Sequence, residues 1–112
     1  MAKAVGARVA TSAGNDEKIN LCKQLGADLV LNYNNDDIAA KLKEFAPNGV
    51  NLWYETQREP DLVKSLPQLA NGGRYIMMAG STYQPQFPPV GTFYPRNLSI
   101  HGYVMDGFSA DE

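Results

Sequence analysis

The chain has 112 residues, and 10 lysine and arginine side chains against 12 aspartate and glutamate side chains give a net charge of −2. That length is typical of one domain, and 44% hydrophobic with 20% charged residues is the composition of a globular rather than a disordered protein. A slightly acidic chain has no basic excess to displace the counterions of nucleic acid, so we expect no nucleic-acid partner. No apolar run approaches the roughly 18 residues of a transmembrane helix, so we expect no membrane partner.

The cysteine content and the first residues restrict the class of protein further. A single cysteine, Cys22, excludes an internal disulfide bond and any metal site built from several thiolates. Residues 1–6 contain no apolar segment typical of a secretory signal. We therefore expect a soluble, cytoplasmic protein without a metal ion.

Five short apolar segments, each followed by glycine or by polar turn residues, predict buried strands. They lie at residues 8–11, 29–32, 50–54, 75–79 and 98–101. The stretches between the first four have helical rather than alternating periodicity, which is the pattern of β-α-β crossovers. The sequence therefore predicts an α/β fold with a largely parallel sheet.

Two of the predicted helices have a clear apolar face. These faces are formed by Ile19, Cys22 and Leu25 and by Ile38, Leu42 and Phe45. Gly26 is placed to end the first helix, and Asn35 or Asp36 is placed to cap the second. Because Cys22 lies on an apolar face, we expect it to be an inert core residue.

The rest of the chain is less regular. A third helix is predicted over residues 59–71, and Pro67 should break it near Leu66 because proline removes a helical donor. Residues 82–97 combine four prolines with aromatic side chains, which predicts an extended loop whose aromatics need cover. Residues 106–112 are typical of the start of another helix, with Ser109 as its N-cap.

Eight segments, taken in order, resemble one protein family. They are residues 2–9, 13–18, 22–28, 32–33, 54–56, 71–74, 78–81 and 99–102. This set resembles the nucleotide-binding domain of the medium-chain dehydrogenases/reductases, and within them the zinc-independent quinone oxidoreductase branch that includes zeta-crystallin. The resemblance covers essentially the whole chain.

The resemblance also implies that something is missing. Members of the family are longer, two-domain enzymes, and their first Rossmann strand leads into a glycine-rich turn that holds the cofactor pyrophosphate. No G-x-G-x-x-G pattern occurs in this sequence. Residues 1–112 are therefore expected to form a single partial nucleotide-binding domain, a truncated Rossmann domain that lacks its first strand.

That loss has a consequence for the sheet. Removing strand 1 from the Rossmann order 3-2-1-4-5-6 leaves five strands that, numbered from this chain's own start, follow the flavodoxin-like order 2-1-3-4-5. We expect the strand near residues 8–11 to pair directly with the strand near residues 50–54 in one five-stranded sheet. The alternative is that a second copy of the chain fills the gap by swapping.

The resemblance assigns cofactor-binding positions to both halves of the chain. The family's positions around the adenosine end of the cofactor match Gly14, Lys18 and Tyr33. The positions around the nicotinamide half match Ala79, Gly80, Ser81, Gly102 and Tyr103, at the carboxyl ends of strands, where ligands of open α/β sheets bind.

The adenosine end implies a cofactor preference. An NAD-preferring enzyme places a carboxylate near this strand to hold the ribose 2′-hydroxyl, and no acid follows the first strand before Asp16. Lys18 is placed to meet a 2′-phosphate, so the resemblance implies NADPH rather than NADH. Lys18 is equally typical of a solvated helix lysine, and Asp16 and Glu17 would repel a phosphate at the helix N-terminus. Gly14 is equally typical of a plain turn.

No catalytic residue and no metal site are indicated. Glu55 has Arg58 and Glu59 nearby, a pattern that favours an ion pair over a general base. His101, the only histidine, lies within a predicted strand with no serine–histidine–aspartate spacing, so we expect a structural role.

These observations leave three functional interpretations. The resemblance implies part of an NADPH-dependent quinone oxidoreductase-like protein, without turnover by this chain alone, in which a quinone is a partner only in a full-length context. The alternatives are a non-catalytic binding or interaction module derived from a dehydrogenase, and a fragment that folds only as an oligomer. Exposed apolar surface left by the missing parts predicts a homo-oligomer.

Overall fold

The computed structural model describes residues 2–79 and 82–103. The predicted helix start at residues 106–112 therefore lies outside the described residues. Within them, strands and helices alternate as far as the fourth strand, a loop leads from there to the fifth, and every strand pairing is parallel. The predicted α/β fold is confirmed. No helix in this part of the chain is long and apolar enough to cross a membrane.

The chain divides into two compact units, Met1–Pro47 and Asn48–Glu112. The first unit begins with a 3₁₀ turn at Ala2–Val5. Two strands and two helices follow, which are β1 (Ala10–Ala13), α1 (Asp16–Gln24), β2 (Leu29–Asn32) and α2 (Ile38–Phe45). β1 and β2 form a two-stranded sheet in which Ala10 is opposite Leu29. That residues 1–112 form one partial nucleotide-binding domain stays a prediction.

Both helices of the first unit begin at a capping side chain. Asn15 accepts a hydrogen bond from the backbone N–H of Lys18, and Gly26, at φ +98°, ends α1 as predicted. α2 is capped by Asp37, whose side chain accepts from the Ala40 N–H. The predicted caps, Asn35 or Asp36, are wrong by one or two residues.

The displaced cap has a local cause. The Asp36 carboxylate accepts a hydrogen bond from the Asn32 N–H at 2.7 Å and pairs with the Lys41 ammonium group at 3.0 Å. With Asp36 engaged in closing the turn after β2, the next carboxylate takes the helix N-terminus.

The core of the first unit is small. Ala13, Leu31 and Leu42 are its buried apolar side chains among the described residues. Cys22 is only half-buried, and Leu25 is 74% exposed. The predicted apolar face of α1 is therefore covered over part of its length, and Cys22 lies at its margin rather than deep in a core.

The second unit holds the larger core. Its elements are β3 (Val50–Glu55), α3 (Leu62–Ser65), a 3₁₀ turn (Leu66–Gln68), β4 (Leu69–Met77) and β5 (Ser99–Gly102). Its core cluster consists of the buried side chains of Leu62, Leu66, Leu69, Tyr75 and Leu98. The third helix breaks at Leu66, as the following proline predicts, but it is shorter than expected. β4 begins at Leu69, because the chain at once pairs with Val50 of β3.

The five strands are divided between two sheets. Their orders are β1-β2 and β3-β4-β5, so the predicted single sheet with direct pairing of β1 and β3 is wrong for the described residues. In the Rossmann order 3-2-1-4-5-6, strands 2 and 3 lie on one side of strand 1 and strands 4 to 6 on the other. The two sheets correspond to those two groups, each retaining the hydrogen-bond ladders that do not depend on strand 1.

Residues 82–97 form an irregular loop, as their prolines predict. It contains only two 3₁₀ turns, Val90–Thr92 and Tyr94–Arg96, among the described residues. Phe87 and Phe93 meet edge to face with ring centroids 5.1 Å apart, and Phe93 packs against the core of the second unit. The second unit itself therefore covers part of the aromatic surface of the loop.

Candidate functional site

Gly14 and Tyr33, predicted to bind the adenosine end of a cofactor, lie against each other in the first unit. Gly14 follows β1 and Tyr33 follows β2, and neighbouring parallel strands end at the same sheet edge. A Cβ added to Gly14 would lie 2.7 Å from Cζ of Tyr33 and closer still to its phenol oxygen. The absence of a side chain at Gly14 is what lets the tyrosine lie across the turn.

The segment after β2 fastens this arrangement. The Tyr33 N–H donates to the Ala13 carbonyl at 3.3 Å, and the Asn34 side-chain amide donates to the Gly14 carbonyl at 3.0 Å. Asn34 is itself held by its N–H, which donates to the Asn32 side chain at 2.9 Å. Tyr33 is 55% exposed and its phenol oxygen lies against Gly14, so the exposed part of the ring is the surface left to a ligand.

Lys18 stands apart from that pair. Its backbone N–H donates a hydrogen bond to the capping side chain of Asn15 at 2.9 Å in the first turn of α1, and its own side chain is exposed. In the described part of the chain its ammonium group makes no hydrogen bond or ion pair to Gly14, Tyr33 or another residue. Asp16 in the same turn is also exposed, so its negative charge would repel an anion that the positive charge of Lys18 attracts.

The described residues of the predicted nicotinamide half meet at one edge of the second sheet. Met77, the last residue of β4, is opposite Gly102 at the end of β5, and the Tyr103 N–H donates to the Met77 carbonyl at 2.9 Å. Ala79 follows β4 and is exposed. A Cβ on Gly102 would meet no atom of the described residues within 4 Å, so packing against them does not require that glycine. Gly80 and Ser81 lie outside the described residues.

A cavity of about 490 Å³ that is open to solvent lies on the surface of the second unit, and the sequence did not predict it. It is lined by the chain that enters α3 and by the loop after β4, namely Pro60, Asp61, Leu62, Val63, Lys64, Tyr83, Gln84 and Gln86. Both segments follow the carboxyl ends of adjacent parallel strands, the place where open α/β sheets bind ligands. That position was the one signal in the sequence that could have indicated it.

Glu55, the last residue of β3, carries a buried carboxylate. It is 8% exposed, and it accepts hydrogen bonds from the Tyr75 hydroxyl at 2.8 Å, the Trp53 indole N–H at 3.2 Å and the Gln57 backbone N–H at 3.0 Å. The described residues provide no ion pair to it, so the predicted pairing with Arg58 is wrong. Alternation along β3 turns Glu55 inward beside Trp53, whereas Arg58 is exposed.

The buried tyrosine of this cluster is strongly influenced by its surroundings. Tyr75 has no exposed surface, and its ring stacks on that of Trp53 with centroids 6.0 Å apart. Burial, followed by the hydrogen bond to Glu55 and the negative charge of that carboxylate, raises the pKa of Tyr75 above its ordinary value of 10.0. The phenol is therefore a proton donor locked to a carboxylate, not an acid that titrates near neutrality.

His101 lies on the exposed edge of β5. Its Nε2 atom is 3.1 Å from the Ser99 hydroxyl oxygen, two residues away on the same face of the strand. In the part of the chain that the structure describes, no carboxylate hydrogen-bonds to this histidine. A serine–histidine–carboxylate triad is therefore not assembled there.

The described side chains do not include a set suited to zinc. A structural or catalytic zinc site needs three or four ligands from cysteine, histidine and carboxylates. No group of three or more such side chains that could hold a metal ion exists among residues 2–79 and 82–103. A zinc ion does not fit these residues.

Comparison with known proteins places the chain in a family. Residues 1–111 match the family described as zinc-binding dehydrogenase. A zinc-type alcohol dehydrogenase-like protein of Schizosaccharomyces pombe is 28% identical over 111 residues, which are 94% of this chain and 32% of that protein. An NADP-dependent oxidoreductase of Cochliobolus heterostrophus is 30% identical over 114 residues, covering 94% of this chain and 32% of that protein.

Solved structures agree with the sequence relatives. The quinone oxidoreductase of Thermus thermophilus, whose structures include a complex with NADPH, is 31% identical and superimposes with a TM-score of 0.76 over 95% of this chain and 33% of that one. The chain spans about a third of the length of the curated relatives it matches. The resemblance found in the sequence is thereby confirmed, and the chain belongs to the zinc-binding dehydrogenase family, within the medium-chain dehydrogenases/reductases.

Proposed function

We propose that this chain is the nucleotide-binding part of an NADPH-dependent, quinone oxidoreductase-like reductase and that it has no turnover by itself. The single observation that carries the proposal is the Gly14–Tyr33 pair, an exposed aromatic ring fastened over a side-chain-free turn where β1 and β2 end. Relatives that use NADP support the choice of cofactor.

The chain's own residues would act by binding and orienting. Tyr33 offers an aromatic face for the adenine or ribose end, and Gly14, which has no side chain, lets that ring lie across the turn. Lys18, free of other partners in the described residues, would move its long side chain toward a 2′-phosphate. In the second unit, the exposed residues Ala79 and Gly102 match the positions that the family resemblance assigns to the nicotinamide half.

At the nicotinamide end of the cofactor, the protein contributes mainly by positioning the reacting groups. When bound, NADPH supplies the hydride that reduces a quinone to a hydroquinone, with one proton taken from solvent. For that reaction the protein must hold the nicotinamide against the substrate and exclude water. The cavity lined by Lys64, Tyr83 and Gln84 is the place in the second unit where we propose that part of this contact occurs.

The binding proposal is tested by calorimetric titration of NADPH into the wild type, two site variants and one control variant. Lys18→Ala and Tyr33→Ala should each weaken NADPH binding by about tenfold, as loss of one charge-assisted or one stacking contact does. Lys23→Ala, an exposed lysine at the other end of α1, is the matched control and should bind like the wild type. Equal affinity in all four proteins would refute the assignment of the adenosine end.

The same titration separates the second candidate function. If the folded wild type shows no heat with NADPH, the chain is better described as a non-catalytic module derived from a dehydrogenase. The observation that favours this alternative is the exposed apolar surface of β3, where Leu52 is 50% and Tyr54 52% exposed.

Two further properties are proposed with the function. We propose that the chain is cytoplasmic and that copies of it associate through apolar surface such as that of β3. Sedimentation at increasing protein concentration measures the association. A mass that stays at 12.3 kDa, the mass of one chain, would contradict it.

A further inference from the structure

A buried carboxylate with only neutral donors around it is costly unless its hydrogen bonds do something that an apolar side chain cannot do. Glu55 is in that situation, with Tyr75 and Trp53 donating to one oxygen and the Gln57 N–H donating to the other. An apolar residue of similar size would leave two side-chain donors and one backbone donor without this acceptor. Three of the four lone-pair positions of the carboxylate are used.

The three donors belong to different parts of the second unit. Trp53 lies two residues earlier on the same face of β3, and Tyr75 is its register partner on β4. Gln57 is the second residue beyond the end of β3, where the chain leaves the sheet. The Glu55 side chain thus connects the stacked Trp53–Tyr75 pair to the segment that follows β3.

The exit segment leads directly to one wall of the cavity. Residues 56–59 are exposed, and Pro60 to Lys64 then line the 490 Å³ space. Between β3 and the Asp61 cap of α3, the hydrogen bond from the Gln57 N–H to Glu55 is the one that ties this segment back to the sheet in the described residues. Glu55 therefore holds the first residues of the exit segment at the end of β3, while the buried residues Pro60 and Leu62 hold its far end.

We propose that Glu55 is a positioning residue: it holds the exit segment, residues 56–61, so that the wall of the cavity is preformed for ligand. It touches neither ligand nor reacting atoms. The proposal rests on the proposed function for the identity of the ligand, and its structural half can be tested without any ligand.

The test uses the whole chain and two readouts. Amide hydrogen exchange measures how often the hydrogen bond of the Gln57 N–H opens. The exchange rate of the Tyr75 N–H, in the core of the sheet, is the internal reference. Calorimetry reports the affinity for NADPH. The variants are Glu55→Leu, which removes the acceptor, Glu55→Gln, which keeps one acceptor oxygen, and Gln57→Pro, which removes the donor N–H and also fixes φ at residue 57.

We expect Glu55→Leu to raise the exchange of Gln57 relative to Tyr75 by about tenfold or more and to weaken NADPH binding to a similar degree. Glu55→Gln keeps one acceptor oxygen for donors that use both oxygens of the carboxylate, so both values should lie between those of Glu55→Leu and the wild type. Gln57→Pro should weaken NADPH binding with the carboxylate and both aromatic donors intact, and it decides the matter if Glu55→Leu does not fold.

A general loss of stability must not imitate this result. Leu98→Val thins the same core, where Leu98 is 7% exposed, without touching the carboxylate, and it should leave the relative exchange of Gln57 and the NADPH affinity unchanged. Unchanged Gln57 exchange in folded Glu55→Leu, or unchanged affinity in Gln57→Pro, would overturn the proposal. If the wild type does not bind NADPH, the proposed function fails, while the exchange of Gln57 still decides the positioning role.

Discussion

Replacing Tyr75 by phenylalanine removes one hydroxyl from the most deeply buried part of the second unit. Tyr75 has no exposed surface, and its hydroxyl donates to the Glu55 carboxylate at 2.8 Å. A hydrogen bond to a charged group contributes about 1.5–3 kcal/mol, because its loss leaves a buried acceptor short of a donor. Against a total stability of about 5–15 kcal/mol for a small domain, Tyr75→Phe should be a severe but foldable change.

Urea unfolding followed by the fluorescence of Trp53 measures the effect directly, since that indole donates to the same carboxylate and stacks on residue 75. With a slope of about 1–3 kcal/mol per molar urea, the midpoint should fall by about 1 M. Tyr54→Phe is the matched control, because the side chain of Tyr54 is 52% exposed, and it should leave the midpoint unchanged.

The same pair of proteins carries a pH dependence with a definite sign. The pKa of Tyr75 is raised in the folded state, so the stability it contributes is fully present below the ordinary tyrosine pKa of 10.0 and declines as pH rises above it. The difference between wild type and Tyr75→Phe should therefore be constant from pH 7 to 9 and narrow above pH 10. A midpoint for Tyr75→Phe equal to that of the control, or a difference that widens above pH 10, would refute the reasoning.

Three other changes have defined outcomes. Gly49→Ala should destabilise the second unit by about 2–5 kcal/mol in urea unfolding, because Gly49 has φ +92° and its Cβ would lie 2.5 Å from a backbone nitrogen of β4. The control Gly72→Ala, at φ +76° with open space around it, should cost about 1–2 kcal/mol. Equal losses of stability in the two variants would contradict the steric argument. Asp28→Asn should make acid unfolding less steep below pH 3.8, because a backbone N–H and a lysine lower the pKa of this carboxyl and its contribution is lost as pH falls; an unchanged acid limb would count against it. Gly14→Ala should push the Tyr33 ring aside and weaken NADPH binding by about tenfold in calorimetry with little change in thermal stability, and wild-type affinity would contradict this.

Local patterns in the sequence were sufficient for most elements. The stop of α1 at Gly26 followed from a residue that tolerates φ +98°, and the break of the third helix at Leu66 followed from Pro67. β2 occupies Leu29–Asn32 as predicted. Each of these depends on neighbours within one turn or one strand.

Features that depend on distant residues were missed. Glu55 was interpreted from its neighbour Arg58, whereas its strongest partner is Tyr75, 20 positions later and brought there by the β3–β4 register. β4 was expected to begin at Tyr75, since the glycine pair before it is typical of a turn. Pairing of Leu69 with Val50 overrides that local preference.

The candidate site was predicted in the same uneven way. Gly14 and Tyr33 meet because adjacent parallel strands end together, which a strand count anticipates. The cavity beside α3 depends on how the loop containing Tyr83 folds back, and no periodic pattern specifies that path.

The most direct test of the nucleotide-binding claim is a parallel calorimetric titration of the wild-type chain with NADPH and with NADH. The two ligands differ only in the 2′-phosphate that Lys18 is proposed to meet. Saturable binding of NADPH that is at least about tenfold tighter than that of NADH, a difference of about 1.4 kcal/mol, is the predicted result. Equal binding of the two would contradict the role of Lys18, and no binding of either to the folded chain would contradict the claim itself.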